Sequence, residues 1–463
     1  MDRSTLWSLR LGYSRKQAPY IQENGLTKFL SDSIAYRFNL ERPSFLEDEP
    51  DNLFYLRQLR QELRRMSPEE KQQRNRESAR RSQEMKAWWI DRMRSSPYPL
   101  RDKMCCFWHN HFVSTFEKVR VNGWIYRHHK LLYDQAFGNF RELTKRVIRT
   151  NAMVQYLDNT QNRKDKLNEN LSRELLELFT LGIGNYTEQD IQEGAKALAG
   201  LTLGEERAEY RPRLRYTGFI SYLGSQGKYD ADDLVDIIFE QPQAPYLITR
   251  KIMQWFLYDQ PKDEWVQYYG DYLREVDFEI KPFLTKLFSE EYKRDLRGRK
   301  IKDPLQFSLQ LADELDAGEL ESIGVSVFIR AQGMDLFNQP NVKGWPGGQT
   351  WMTSQSYLQR NQLANLLCRG IVLDRSDVIS GVPIKMGKRR RGINITLDWD
   401  KTGNAGAIID SFTNRLLVET NPQLDQDLDQ ILKYDFDPSL PKADKAVMRL
   451  FNYLVNSPEF QVI

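Results

Sequence analysis

The stretch from Asn168 to Gly184, NENLSRELLELFTLGIG, leaves the backbone little choice. Leu171, Leu175, Leu178 and Phe179 recur at i, i+4, i+7 and i+8, which on a 3.6-residue period makes one apolar face. Asn168 suits an N-cap, Glu169 and Asn170 place acid and amide in the first turn, and Gly182 and Gly184 accept the left-handed geometry that ends a helix. The spacing predicts a helix of about three to four turns. On a second face Glu169, Arg173 and Glu177 stack at i, i+4 and i+8, so Arg173 is placed to bridge both carboxylates. Glu174 and Glu177, at i and i+3, are close enough to share a metal or a proton. The same pattern is also that of a structural ion-pair ladder on a solvated face.

Helical periodicity returns along most of the chain. Short helices are predicted before residue 40, and two polar helices between 52 and 93 divided at Ser67-Pro68. Helices follow through Phe140, Leu143, Val147 and Ile148, and after the capping pair Thr187 and Asp190. They recur from Asp230 to Glu290, with Ile248, Ile252, Trp255 and Phe256 as core, and again after Pro304 and Ala443. Residues 201–228 alternate more like strands, as in RLRYTGFISYLG. The chain therefore reads as mainly α: a single large, irregular multi-helix domain over 1–463 with a small β-ribbon near residues 211–224. An N-terminal helical subdomain over 1–98 is the one subdivision the pattern allows.

Charge narrows the function classes. Among 463 residues, 67 basic side chains face 64 acidic ones, leaving a net charge of +3, and the two signs are interleaved. A dedicated nucleic-acid binder would carry a concentrated basic footprint, so no nucleic-acid partner is expected. The KRRR run within 381–395 reads as a solvated surface loop. No apolar run approaches bilayer length, and the start MDRSTLWSLRLGYSRKQ lacks a signal-peptide core, so no membrane span and a soluble, cytoplasmic chain are expected. Cys105, Cys106 and Cys368 are too few for a disulfide framework, and a reducing compartment is compatible with them.

Two stretches carry candidate chemistry besides the anchor. All four histidines, His109, His111, His128 and His129, fall between residues 109 and 129. That concentration raises a metal site, a hydrogen-bonded structural or catalytic histidine, or plain packing. On a strand His109 and His111 would point the same way and chelate one ion; on a helix they sit about 200° apart. The segment MDLFNQPNVKGWPGGQTW, 334–351, is a rigid loop. Its Trp345 and Trp351 suit stacking on a sugar or another flat ligand, with Asn341 and Lys343 supplying hydrogen bonds, or else the loop plugs the helical core.

With these residues in view, WHNHF at 108–112, AFGNFREL at 136–143, NENLSRELLELFTLGIGNYTEQD at 168–190, QPNVKGWPGGQTW at 339–351 and the terminal SPEFQ resemble the bacterial domain-of-unknown-function 1800 family over nearly the whole chain. The resemblance implies a mainly helical bacterial protein, commonly exported in other members, with a sulfatase-like protein as a partner. The chain departs from the family where a His-Asp pair followed by glycine and lysine usually precedes Leu223-Gly224. Here Arg215, Tyr216, Gly218 and Ile220 stand instead, and Leu167 replaces the usual proline before NEN. No export signal is expected from the start MDRSTLWSLRLGYSRKQ, which would be a third departure.

Two functional expectations follow. As an enzyme, a hydrolase or metal-dependent catalyst, the chain would gather His109, His111, Glu169, Arg173, Glu174 and Glu177 around one pocket. A histidine or glutamate would be the base, with a divalent zinc, iron or manganese ion on His109, His111 and Glu174 in the sharpest form. As a binding or accessory protein that has lost the family's His-Asp pair, it would recruit a protein or saccharide, with Asn168, Asn170, Asn341, Lys343, Trp345 and Trp351 as ligand-binding residues.

Overall fold

The computed structural model describes residues 1–294, 300–372, 392–433 and 436–463; the KRRR run lies outside them. The described residues are mainly helical, as the periodicity predicts. Arg3–Leu11, Ala18–Asn24 and Leu26–Ala35 open the chain, and Leu53–Arg65 and Pro68–Ser95 are separated at Ser67. Ser67 caps the longer helix reciprocally with Glu70, and Thr187 does the same with Asp190 at Glu188–Leu198. None of the described helices is long and apolar enough to cross a membrane.

The β content is small, as expected, and falls within the alternating stretch 201–228 as two ribbons rather than one. Among the described residues there are two antiparallel two-stranded ribbons, Leu201–Thr202 with Glu209–Tyr210 and Ile220–Tyr222 with Ser225–Gly227. Only the second overlaps 211–224. Its turn is Leu223-Gly224, both at positive φ, the combination a tight two-residue hairpin demands.

One connected cluster of buried hydrophobic side chains runs from Leu6 to Ile463, and residues 1–98 contribute Trp7, Phe29, Trp89 and Ile90 to it. Buried cations stitch its helices together. The last carbonyls of an α-helix have no partner within it and carry the negative end of the helix dipole, so a side-chain cation satisfies both needs. Lys103 donates to Leu9 O and Gly12 O at the end of Arg3–Leu11 and to Gln306 Oε1. Arg101 donates to Ile34 O and Tyr36 O at the end of Leu26–Ala35, and to Tyr133 O in Asn122–Asp134. Arg10 donates to Phe256 O and Leu257 O at the end of Ala244–Phe256 and to Ile463 O.

Replacing Arg10 by Met keeps the bulk and removes the donors. With each stranded carbonyl costing about 1–3 kcal/mol, Arg10→Met is expected to lower unfolding free energy by about 2–4 kcal/mol after relaxation. Urea denaturation of the two proteins measures it; a loss under about 0.5 kcal/mol would remove Arg10 from the cross-links that hold the fold.

Candidate functional site

The Leu100–His111 helix places the WHNHF residues on a helix rather than a strand, and its last turn faces three ways. His109 Nε2 meets His129 Nδ1 at 3.0 Å. Asn110 turns to the 339–351 loop, where its Oδ1 accepts the Trp345 N–H at 2.6 Å. His111 turns to the anchor stretch. Both His109 and His111 are buried, and burial lowers the pKa of each well below the ordinary imidazole value.

The anchor stretch is not a uniform α-helix. Asn170–Glu174 is α-helical and Leu175–Thr180 continues it as a π-helix. Such wide turns gather at functional sites. Asn168 does not cap it directly: its Oδ1 accepts the Asn170 N–H in a local turn, and Glu169 takes the cap position. At the far end the Phe179 carbonyl accepts from His111 Nε2 at 3.0 Å, and the Leu178 carbonyl accepts from Lys251 Nζ at 2.8 Å. The two donors also approach each other, Lys251 Nζ lying 3.4 Å from His111 Nδ1. A proton on Nε2 for Phe179 leaves Nδ1 as an acceptor, so the geometry calls for a neutral His111. Burial lowers the Lys251 pKa to about 8.

His111 and Lys251 form part of the wall of a cavity of about 1000 Å³. One side is the Ala244–Phe256 helix with Lys251 and Trp255; the other is the 339–351 loop with Lys343, Trp345 and Trp351. Asp259, Lys262, Trp265, Arg294 and Lys300 complete the rim. Trp255 and Trp345 stack with ring centroids 6.5 Å apart, and the cations of Lys262 and Arg294 each lie 5.0 Å over Trp265. Among the described lining residues, five cationic side chains thus face a single carboxylate. That carboxylate is engaged: Asp259 Oδ2 accepts the Ile301 N–H at 3.1 Å, and its Oδ1 lies 3.9 Å from Lys300 Nζ.

The loop is held by more than Asn110. Gln339 Nε2 donates to the His109 carbonyl at 3.0 Å. Gly344 sits at φ +84°, and a Cβ there would lie 2.3 Å from Asn110 Oδ1 and 2.5 Å from Asn110 O. Asn341 serves the loop itself, its Oδ1 accepting the Lys343 N–H at 2.9 Å.

Of the six expected catalytic residues, His111 lines the cavity and the other five do not. Arg173 bridges Glu169 and Glu188, at 3.1 and 2.5 Å, rather than Glu169 and Glu177. The π-helix begins at Leu175, so an i+4 extrapolation from Arg173 crosses a change of helical pitch. Glu177 instead accepts from the Tyr186 hydroxyl at 3.2 Å. Glu174 is half-buried, with burial and Glu177 raising its pKa and Arg173 and Lys343 opposing them. His109, His111 and Glu174 do not converge on one ion. Among the described residues the side chains spaced closely enough to hold one ion are Cys105, His109 and His129.

Of the expected ligand-binding residues, Lys343, Trp345 and Trp351 line the cavity, whereas Asn168, Asn170 and Asn341 do not. Sequence reasoning missed Lys251, Asp259, Lys262, Trp265, Arg294 and Lys300, and assigned Trp255 to the core. Ile248, Ile252 and Phe256 are core, but Trp255 is half-buried at the cavity wall. Arg215, Tyr216, Gly218 and Ile220 are outside its lining.

A family sequence profile described as Protein of unknown function (DUF1800) matches residues 5–462, which is nearly the whole chain. No curated protein and no solved structure matches it.

Two outcomes test this geometry. Gly344→Ala, strained in φ and pressed against Asn110, is expected to cost about 2 kcal/mol or more and to raise hydrogen exchange across 339–351. Unchanged exchange there would disconnect the loop from Asn110. For Lys251, whose folded pKa is below its unfolded one, the unfolded state binds more protons between about pH 8 and 10.5. Stability therefore rises with pH across that window, and Lys251→Met makes the rise shallower in denaturant titrations run at several pH values. A slope equal to that of the parent chain would show Lys251 to be charged and solvated.

Proposed function

We propose that this chain, which belongs to the DUF1800 family, uses the cavity between the Ala244–Phe256 helix and the 339–351 loop to bind an anionic, ring-bearing ligand. An acidic or sulfated saccharide is the class that fits best, and the role is that of a binding or accessory protein. The observation that carries this reading is the lining: five cations and one engaged carboxylate, interleaved with Trp255, Trp265, Trp345 and Trp351. Arg294 and Lys262 are also paired to Glu291 and Glu264 outside it, and Lys300 donates to Gln254 O. Tryptophan faces stack on the apolar faces of sugar rings, and ammonium and guanidinium groups pair with carboxylate, sulfate or phosphate substituents. The sulfatase-like partner implied by the family resemblance would act on the same ligand class.

The lining argues against glycoside hydrolysis through paired acids, which needs two carboxyl groups flanking the bond. Asp259 is the single carboxylate among the described lining residues. His111 has both ring nitrogens engaged. A hydrolase reading keeps one observation in its favour: burial lowers the Lys251 amine to about 8, within the range of a general base, and lowers the lining Lys300 as well.

Calorimetric titration with a sulfated disaccharide and its unsulfated counterpart tests the proposal. Binding of the sulfated sugar at least about tenfold tighter is expected, weakening as salt rises. Lys343→Gln and Trp351→Ala should each weaken it by roughly three- to tenfold while leaving thermal unfolding nearly unchanged for Lys343→Gln. Equal affinity for both sugars, or indifference to both substitutions, would discard the proposal. Turnover that disappears in Lys251→Met while binding persists would move the assignment to the hydrolase reading.

A further inference from the structure

Behind the cavity wall, the face of the Leu100–His111 helix opposite His111 carries Cys105 and His109 one turn apart, and the neighbouring Asn122–Asp134 helix brings His129 against them. Cys105 Sγ lies 3.7 Å from His129 Nδ1, and His109 Nε2 lies 3.0 Å from the same nitrogen. One ligating atom from each of the three falls within 4.8 Å of the others. All three residues are 0 % exposed. The walls around them are aromatic: Trp89 lies 5.2 Å from the His109 ring and 4.6 Å from His129, and Phe337 lies 5.0 and 5.5 Å from them.

We propose that Cys105, His109 and His129 form a buried three-coordinate site for a monovalent copper ion. Metal–imidazole bonds near 2.0 Å and metal–thiolate bonds near 2.3 Å set donor atoms roughly 3.3–3.7 Å apart around a common ion. The observed 3.0 and 3.7 Å need adjustments of a few tenths of an ångström, and the Cys105–His109 edge, held within 4.8 Å, has to close by up to about 1 Å. The outward nitrogens, His109 Nδ1 and His129 Nε2, have no hydrogen-bond partner among the described residues; with both lone pairs turned inward each carries a buried N–H without an acceptor, a desolvation cost that bonding to the ion has to exceed.

Charge and coordination number select the ion. The one acid nearby in the same helix, Asp102, is already paired with Arg92 and accepts from Trp89 Nε1. A thiolate with two neutral imidazoles and a +1 ion leaves this apolar chamber uncharged, whereas a divalent ion would leave a net charge there. No fourth histidine, cysteine or carboxylate joins the group among the described residues. Zinc would need a water as its fourth ligand, which these fully buried, aromatic surroundings disfavour, while soft thiolate and imidazole ligands suit copper(I). Binding exchanges the Cys105 thiol proton, released to solvent, for Cu⁺; copper enters as copper(I) and no electron is transferred. The site lies on the opposite face of the helix from His111 and shares no residue with the lining of the ligand cavity.

The test is elemental analysis of the untagged chain from cells grown with added copper, purified without oxygen, with X-ray absorption at the copper edge. About one copper per chain is expected, with one sulfur and two nitrogen neighbours. Cys106→Ser, altering the adjacent thiol outside the group, should keep the ion, and Cys105→Ser should lose at least nine tenths of it while melting as a folded protein. Should Cys105→Ser fail to fold, the sulfur and nitrogen count of the parent chain decides alone. Copper-free parent protein, copper retained by folded Cys105→Ser, zinc held in preference, or a coordination shell without sulfur would each overturn the assignment.

Discussion

Carbonyl oxygens at helix ends are what this fold has to satisfy. A chain of many short helices makes many such ends, and packing them inward removes the water that would otherwise serve them. Here buried lysines and arginines take that part. Lys103, Arg101 and Arg10 each join the end of one helix to other segments of the chain. Each cation is costly to desolvate, which is why burial lowers Lys103 to about 7 and Arg10 to about 10. A cation so placed is a cross-link as well as a cap.

The cavity inherits the same device. Lys251 caps the Leu175–Thr180 segment through Leu178 O, as Lys103 caps Arg3–Leu11, but its other side faces open space rather than core. His111 does the same for Phe179. The positive character of the cavity thus begins with Lys251, a group the fold already needs at a helix end, and the rim residues Lys262, Arg294, Lys300 and Lys343 extend it. On the other side of the Leu100–His111 helix, around Cys105, His109 and His129, the surroundings are aromatic.

What was legible in the sequence was local. Ser67 with Glu70, Thr187 with Asp190, and the apolar faces of the long helices depend on neighbours within a few residues. The rigid loop announced itself through proline, glycine and tryptophan, and Lys343, Trp345 and Trp351 indeed line the cavity. Lys251 was not legible, because KIMQWF has the ordinary pattern of a packed helix and only tertiary placement turns its lysine toward space. Glu188 was not foreseen as the partner of Arg173, since it belongs to the next helix and the π-helical pitch carries Glu177 away. His129 was seen as one of a cluster, but its pairing with His109 across two helices has no signature in spacing.

His109, Asn110 and His111 are consecutive, and each is fastened in a different direction: to His129, to the Trp345 N–H and to the Phe179 carbonyl. Turning the helix by one residue would break all three fastenings together, so its end has essentially one azimuth. The loop bearing Trp345 and Trp351 is referred to that azimuth through Asn110. The cavity's aromatic wall is therefore preorganised: the entropy of ordering it is lost when the chain folds, and a ligand that enters gives up little beyond its own freedom.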